Sequence, residues 1–325
     1  MSVANQTKAT RQAKKSLTFA EFLESWGLVL FLTLLLLVAA ILSPAFLSPN
    51  NLVNVMTIAA PLGMVVIGQT FAILVRGLDL SVASLMATVA VMATAFKATD
   101  DSMIPLIFVA AIVLSALVGL LNGWLIAIRG VSPFLATLAT MIILQGARFA
   151  YTGGAPISTL PPGMAWLASG RVLGIPVNLL ALLVLAVITG LILGRGRLGR
   201  QIYMVGTNPK AARLNGLSPE RITIICYMIC SICAGIGGLF LLGYVGTVSN
   251  WVGQGFELDS IIAAVMGGVA LSGGRGNIIG ALMGVVVLVV ISNLVLLLGF
   301  PIEMQEVIKG IIIIGAAAFY RTRLT

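Results

Sequence analysis

Long apolar runs, separated by short polar or glycine-rich turns, fill almost the whole chain. The runs are continuous rather than alternating, a pattern that favours helices over strands. The ten runs are residues 28–46, 52–75, 80–97, 103–128, 133–152, 174–193, 222–245, 258–272, 277–299 and 303–320. A helix needs about 20 apolar residues to cross a hydrocarbon core of about 30 Å. The pattern therefore predicts an all-α membrane protein with about ten transmembrane helices, the eighth being short.

The composition agrees with a lipid environment, since 59% of the 325 residues are hydrophobic and only 9% are charged. Soluble domains carry about 25% charged residues. Such a chain has too little polar surface to cover itself in water, so the lipid bilayer is its expected solvent. We expect one transmembrane domain at 28–320, between a cytoplasmic N-terminal segment at 1–27 and a cytoplasmic C-terminus at 321–325.

The basic residues predict the orientation of the chain, because Lys and Arg concentrate in cytoplasmic turns. With ten spans, both termini lie on one side. If that side is cytoplasmic, it carries most of the 19 basic residues, namely Lys8, Arg11, Lys14, Lys15, Arg76, Arg129, the cluster from Arg195 to Arg221, Arg275, Arg321 and Arg323. The opposite turns carry Asp100, Asp101, Glu257 and Glu303. The net charge of +9 is thus explained by membrane orientation and does not indicate a nucleic-acid partner.

Ten spans can also form two inverted repeats of five. "GLDLS" at 77–81 opens span three and loosely matches "FELDS" at 256–260, which opens span eight. Short or interrupted spans at matching positions mark the transport path in several transporter folds. A chance match of a few residues is the alternative.

Two glycine-rich segments only partly match nucleotide-binding motifs. "LSGGR" at 271–275 differs by one residue from the LSGGQ signature of ABC ATPases, but the chain has no Gly-Lys pair and therefore no Walker A loop. "GRGRLG" at 194–199 follows a membrane span rather than the strand that a dinucleotide site requires. The chain has no His and three Cys. We therefore assign it no catalytic residues, no metal site and no cofactor of its own.

The predicted internal loop at 194–221 contains a short helix signal. Asn208 followed by Pro209 is a typical helix start, with Asn as the N-cap and Pro in the first turn. The helix would end at Gly216. It is expected to be a docking element that packs either on another protein or on the chain's own spans. Its residues expected to be buried are Ala211, Ala212 and Leu214.

Four segments, in this order, resemble the permease subunits of bacterial ABC sugar importers of the ribose, xylose, arabinose and galactose type. They are "GQTFAILVRGLDLSVAS" (68–84), "NGWLIAIRGVSPFLATLATMIILQGARFAYTGG" (122–154), "GRQIYMVGTNPKAARLNGLS" (199–218) and "GFELDSIIAAVMGGVALSGGRGNIIGALMG" (255–284). The resemblance covers nearly the whole chain. It departs at Arg76, where that family usually has the first of two glycines.

This resemblance implies a permease subunit in the bacterial inner membrane that moves a pentose or hexose and is not itself an enzyme. The implied partners are an ABC ATPase that uses the ATP, a second permease copy or paralogue, and an external substrate-binding protein received by the loops at 153–176 and 246–258. The segment at 208–216 would be the coupling helix in a groove of the ATPase. Its ATPase-coupling residues would be Asn208, Pro209, Ala211, Ala212, Arg213, Leu214 and Gly216.

Polar residues are rare within the spans, and such residues usually face the protein interior or a water path. Gln69, Asn122 and Asn293 are candidate sugar partners on the translocation path, with helix–helix hydrogen bonding as the alternative. Asp79 is a further path candidate, and it is also expected to cap span three and pair with Arg76.

An ion-coupled secondary transporter of a small polar solute is the alternative function. It would need titratable groups near the bilayer midplane. The sequence instead predicts span-end positions for Asp79, Asp259, Glu303 and Glu306.

Overall fold

The computed structural model describes residues 19–96, 100–156, 160–301 and 303–311, without the side chains of 19–25. The chain in these ranges is a helical bundle with one two-stranded hairpin. The helices are α1 (Phe19–Leu42), α2 (Pro49–Leu74), α3 (Val82–Ala95), α4 (Ile104–Ala127), α5 (Pro133–Thr152), α6 (Pro162–Ser169), α7 (Val177–Gly194), α8 (Arg197–Thr207), α9 (Pro209–Leu214), α10 (Pro219–Val245), α11 (Phe256–Met266) and α12 (Ile278–Leu297). Residues 303–311 are also helical.

The predicted all-α membrane fold is confirmed. Six helices, α2, α4, α5, α7, α10 and α12, are long and apolar enough to cross a membrane, and α3 and the part of α1 from Trp26 are shorter apolar helices. Spans one to nine each coincide with a helix, whereas most of span ten (303–320) and both chain termini lie outside the described residues. The count of ten, the cytoplasmic termini and the inverted repeat remain predictions.

The core is built around α2 and α10, because glycines let their neighbours approach closely. A Cβ at Gly119 of α4 would lie 2.6 Å from the Cα of Met228, and a Cβ at Gly68 of α2 would lie 2.7 Å from the carbonyl oxygen of Cys230. Backbone therefore lies directly against backbone at both contacts. The cysteines of α10 that are buried and unpaired are Cys226, Cys230 and Cys233.

Helices α3 and α11 are short, with 14 and 11 residues. At 1.5 Å per residue, neither reaches across a hydrocarbon core of about 30 Å. The chain enters each of them from inside the bundle, since Asp79 and Ser81 before α3 and Val252 before α11 are buried. The two short helices occupy the positions of spans three and eight, where the sequence predicts 80–97 and 258–272.

Both long loops contain structure that the sequence did not predict. The loop at 153–176 holds α6 and an antiparallel hairpin of β1 (Arg171–Val172) and β2 (Ile175–Pro176). Leu173 at the hairpin tip is 98% exposed. The loop at 194–221 holds α8, which has one apolar face, before the expected short helix.

The glycine-rich segments have the structural roles that the sequence predicts. In the segment at 272–277, Gly273 and Gly274 have φ of +79° and +72°, values that glycine adopts without strain. This segment is a turn and not part of a nucleotide site. The segment at 194–199 connects α7 to α8, so no strand precedes it.

Candidate translocation path and coupling segment

A buried chain of hydrogen bonds links the start of α3 to α4 and α5. Ser81 Oγ donates to Asp79 Oδ1 over 2.5 Å, and its backbone N–H donates to the same oxygen over 2.9 Å. Asn122 Nδ2 donates to Ser81 Oγ over 3.0 Å, and Thr140 Oγ1 donates to Asn122 Oδ1 over 2.6 Å. Polar groups this deep need such partners, because unmade hydrogen bonds are costly away from water. The network fixes α3 against two long helices.

Gln69 of α2 joins the same network through the backbone of Asp79. With its amide oriented to satisfy both groups, Gln69 Nε2 donates to the Asp79 carbonyl oxygen over 3.2 Å. The Asp79 N–H donates to Gln69 Oε1 over 3.1 Å. The structure thus brings together three of the four predicted path residues, Gln69, Asp79 and Asn122.

Two expectations for Asp79 are corrected. It does not pair with Arg76, whose guanidinium instead donates to the backbone carbonyls of Gly206 and Thr207. The intervening backbone turns Arg76 away from Asp79, because Arg76 has a φ of +67°. Asp79 does not cap α3 either, because Ser81 is the N-cap residue of that helix. Asp79 precedes the helix and is fully buried, and its Oδ2 has no hydrogen-bond partner among the described residues.

Asn293 lies elsewhere, between α12 and α2. Its side-chain amide exchanges two hydrogen bonds of 2.9 Å with the amide of Asn51. This pair is a helix–helix contact, the alternative that the sequence leaves open for Asn293.

Arg148 of α5 is a buried residue that the sequence reasoning did not select. Its guanidinium donates to the carbonyl oxygen of Ser84 in α3, to Thr88 Oγ1 over 3.3 Å and to the carbonyl oxygen of Asn250 over 3.2 Å. Arg148 thus connects α3 to the segment that leads into α11. An arginine within an apolar run is itself a functional signal and could have identified this residue.

The short helix predicted within 208–216, the candidate coupling segment, is present in the structure. Asn208 Oδ1 accepts from the N–H of Ala211 over 3.0 Å, and Pro209 is the first residue of α9. Gly216, with a φ of +78°, follows the helix.

One face of the coupling segment packs on the chain itself, and the other is open. Ala212 is fully buried, whereas Ala211 is half-buried and Arg213 pairs with Glu220 of α10. Leu214 does not pack on the chain's own helices, because its side chain is 90% exposed. Of the two expected ways to bury it, contact with another protein therefore remains.

A bundle of apolar helices with buried polar networks defines a multi-pass membrane protein. The chain matches the family described as branched-chain amino acid transport system / permease component over residues 51–317. It is 33% identical to the ribose import permease protein RbsC of Escherichia coli K12, over 95% of this chain and 97% of that protein. It is 34% identical to RbsC of Bacillus subtilis 168, over 98% and 99%. It is 32% identical to the galactose/methyl galactoside import permease protein MglC of Escherichia coli K12, over 94% and 96%.

No solved structure matches the chain. The chain belongs to this permease family, as the match over residues 51–317 and the near full-length relatives establish. It is thus a multi-pass inner-membrane permease component of an ABC transporter, whose ATPase is a separate subunit.

Proposed function

We propose that this chain is the membrane subunit of an ATP-driven importer that moves a monosaccharide, a pentose or a hexose, into the cell. The observation that carries this proposal is the near full-length similarity to permeases named for ribose and galactose. Each of those relatives matches this chain from end to end, so the similarity is not confined to one motif.

The coupling segment supports the ATP-driven mechanism. Its Leu214 is exposed on a rigid capped helix, and Ala212 anchors that helix to the bundle. The ATPase would bind this helix and displace it when ATP is bound and hydrolysed. The coupling residues Asn208, Pro209 and Gly216 would then set the helix geometry, while Arg213 would hold it to α10.

The opposite end of the bundle would receive the sugar. Leu173 lies before the start of α7, and Leu214 lies beyond its end. Helix α7 has 18 residues and is therefore about 27 Å long. With both termini cytoplasmic, the loops at 153–176 and 246–258 face outward. A loaded substrate-binding protein would dock there, and a second permease copy or paralogue would complete the transporter.

The predicted path residues would act when the helices move. Gln69 bonds the backbone of Asp79, and Ser81 links the Asp79 carboxylate to Asn122, so this network holds α3 in place in the present arrangement. They would exchange these bonds for sugar hydroxyls as α3 shifts. Asn293 would hold α12 to α2 during the same movement.

Purification in mild detergent tests whether an ABC ATPase binds this chain. The exposed leucines Leu173 and Leu214, which we place at opposite ends of the bundle, provide matched variants. An ABC ATPase should co-purify with the wild type and with Leu173→Asp, but not with Leu214→Asp. In proteoliposomes that hold the complex and its binding protein, D-ribose or D-galactose uptake should require ATP. Uptake that followed a proton or sodium gradient and ignored ATP would instead establish the ion-coupled alternative.

A further inference from the structure

A polar cavity of about 150 Å³ lies where the two short helices approach each other. Its walls come from α3, α5, the segment before α11 and the first turn of α11. The polar and charged side chains on its walls are Ser84, Gln145, Arg148, Asn250, Gln254 and Glu257. A cavity of about 150 Å³ can hold a six-membered ring such as benzene. The cavity can therefore hold the ring of a monosaccharide, whose hydroxyl groups need further space on the open side of the cavity.

Several wall groups have hydrogen-bonding capacity that the protein does not use. Arg148 is 5% exposed and Asn250 is 4% exposed, and neither Arg148 Nε nor Asn250 Oδ1 has a hydrogen-bond partner among the described residues. Buried polar atoms nearly always have partners, so each exception calls for an explanation such as an absent ligand or water. In the described part of the chain, the amides of Gln145 and Gln254 also lack partners.

The charges on the walls favour a neutral ligand. Arg148 supplies a cation and Glu257 an anion to the same small cavity. Among the described residues, Glu257 Oε2 accepts from the N–H of Gly255, over 3.0 Å. The two opposite charges offset each other, so the site favours a ligand without net charge. Neutral hydroxyl groups both donate and accept, so they match this mixed set of amides and charges.

An aromatic ring completes the cavity. Trp251 lines it, is exposed at its edge and packs edge-to-face on Phe149, with ring centroids 5.6 Å apart. The indole thus supplies an apolar surface beside the polar side chains. Ligand sites commonly combine such an apolar surface with a few placed polar groups.

We infer that this cavity is a binding subsite for a neutral monosaccharide between α3 and α11. Gln145 and Gln254 bond the hydroxyl groups, Trp251 covers one face of the ring, and Arg148 holds the two short helices around it. The inference rests on the proposed import function and adds to it the place where the membrane subunit holds the sugar.

Tryptophan fluorescence of the purified transporter measures binding without the binding protein. D-Ribose or D-galactose should change the fluorescence of the wild type and of Trp124→Phe, a variant of another exposed tryptophan at the far end of α4. The change should be absent in Trp251→Phe. Gln145→Leu and Gln254→Leu should each raise the half-saturating sugar concentration about three- to tenfold, the loss expected for one hydrogen bond. Gln145→Asn, which retains an amide, should recover part of that loss.

Three results would overturn the inference. The first is an unchanged half-saturating concentration in both glutamine variants, and the second is a fluorescence change that persists in Trp251→Phe. The third is a response to L-leucine but not to either sugar, which would assign the cavity to an amino acid. If wild-type proteoliposomes took up sugar with ATP in any of these cases, only the subsite would fail. If they took up none, the proposed import function would fail with it.

Discussion

The Nε of Arg76, just after α2, donates to the carbonyl oxygen of Gly206 at the end of α8, over 2.6 Å. A second guanidinium nitrogen donates to the carbonyl oxygen of Thr207. The last carbonyls of a helix lack partners within the helix, and its dipole favours a cation there. Because Thr207 directly precedes the N-cap Asn208, Arg76 ties α2 to the start of the coupling segment.

This contact requires an unusual backbone conformation, which yields a stability prediction. Arg76 has a φ of +67°, where a non-glycine residue costs about 1–2 kcal/mol relative to glycine. Arg76→Ala should lose the two hydrogen bonds but keep the backbone strain. Arg76→Gly should lose the hydrogen bonds and the strain as well. We expect Arg76→Gly to be more stable than Arg76→Ala by about 1–2 kcal/mol in thermal unfolding in detergent. Equal stabilities would show that this φ carries no strain.

The same residue yields a coupling prediction. Arg76→Gly removes the tie between α2 and α8, so more ATP should be hydrolysed for each sugar molecule transported. Arg76→Lys keeps the charge but not the paired donors of the guanidinium. Its ratio of ATP hydrolysed to sugar transported should lie between those of the wild type and Arg76→Gly. An unchanged ratio of ATP to sugar in both variants would contradict this role.

The hydrogen bond between Thr140 and Asn122 can be measured by a double-mutant cycle. Asn122→Ala and Thr140→Val should each lower the free energy of unfolding. The double variant should lower it by less than the sum of the two single effects. Side-chain hydrogen bonds in membrane proteins contribute about 0.6 kcal/mol on average and about 1.7 kcal/mol at most. We expect a coupling energy in the upper half of that range, because both groups are buried and the bond is short at 2.6 Å. Additive effects would show that the bond contributes nothing to stability.

Two helix glycines should respond oppositely to alanine. A Cβ at Gly119 would lie 2.6 Å from Met228 Cα in the backbone of α10, whereas a Cβ at Gly190 of α7 would meet no atom of the described residues within 4 Å. Gly119→Ala should therefore destabilise the bundle by about 1–3 kcal/mol through overpacking. Gly190→Ala should stabilise it by about 0.4–1 kcal/mol through the unfolded chain. Thermal unfolding in detergent compares them, and a harmless Gly119→Ala would mean that α4 and α10 can separate.

An ion pair joins α11 to the helical residues 303–311. Lys309 Nζ lies 3.0 Å from Asp259 Oδ2 and 3.0 Å from Glu306 Oε1. Lys309→Met should be more destabilising than the double variant with Asp259→Leu, because it leaves a largely buried carboxylate without its partner. Glu306→Gln is the control and should change stability by less than about 1 kcal/mol, since Glu306 is exposed. A double variant no more stable than Lys309→Met would contradict this account.

Local rules were sufficient for features that depend on a few neighbouring residues. The cap at Asn208 and the turn at Gly273 follow from the conformations that Asn and Gly adopt, so the sequence predicts them correctly. The long spans follow from apolar length alone. Helix α8 was missed because it has only 11 residues, with Arg197 and Arg200 near its start, and therefore lacks a long apolar run. It is stabilised by packing on the bundle; Ile202, for example, is buried.

Features that depend on distant contacts could not be read from sequence spacing. Asp79 and Arg76 are three residues apart, yet their partners come from different segments, because the chain between them is not helical. The exposure of Leu214 depends on which face of α9 meets α10. Arg148 could have been selected as an arginine within an apolar run, but its partners in α3 and before α11 become neighbours only in the folded bundle.

The junction around Arg76 includes both halves of the chain. The N–H of Gly274 donates to the carbonyl oxygen of Leu74 over 2.9 Å, so the turn after α11 meets the end of α2 beside the coupling segment. The chain runs from Arg76 into α3, and it reaches Gly274 from α11. A displacement of α9 would therefore be transmitted to both short helices, to α3 through Arg76 and to α11 through the turn at Gly274. The two walls of the polar cavity would then move together.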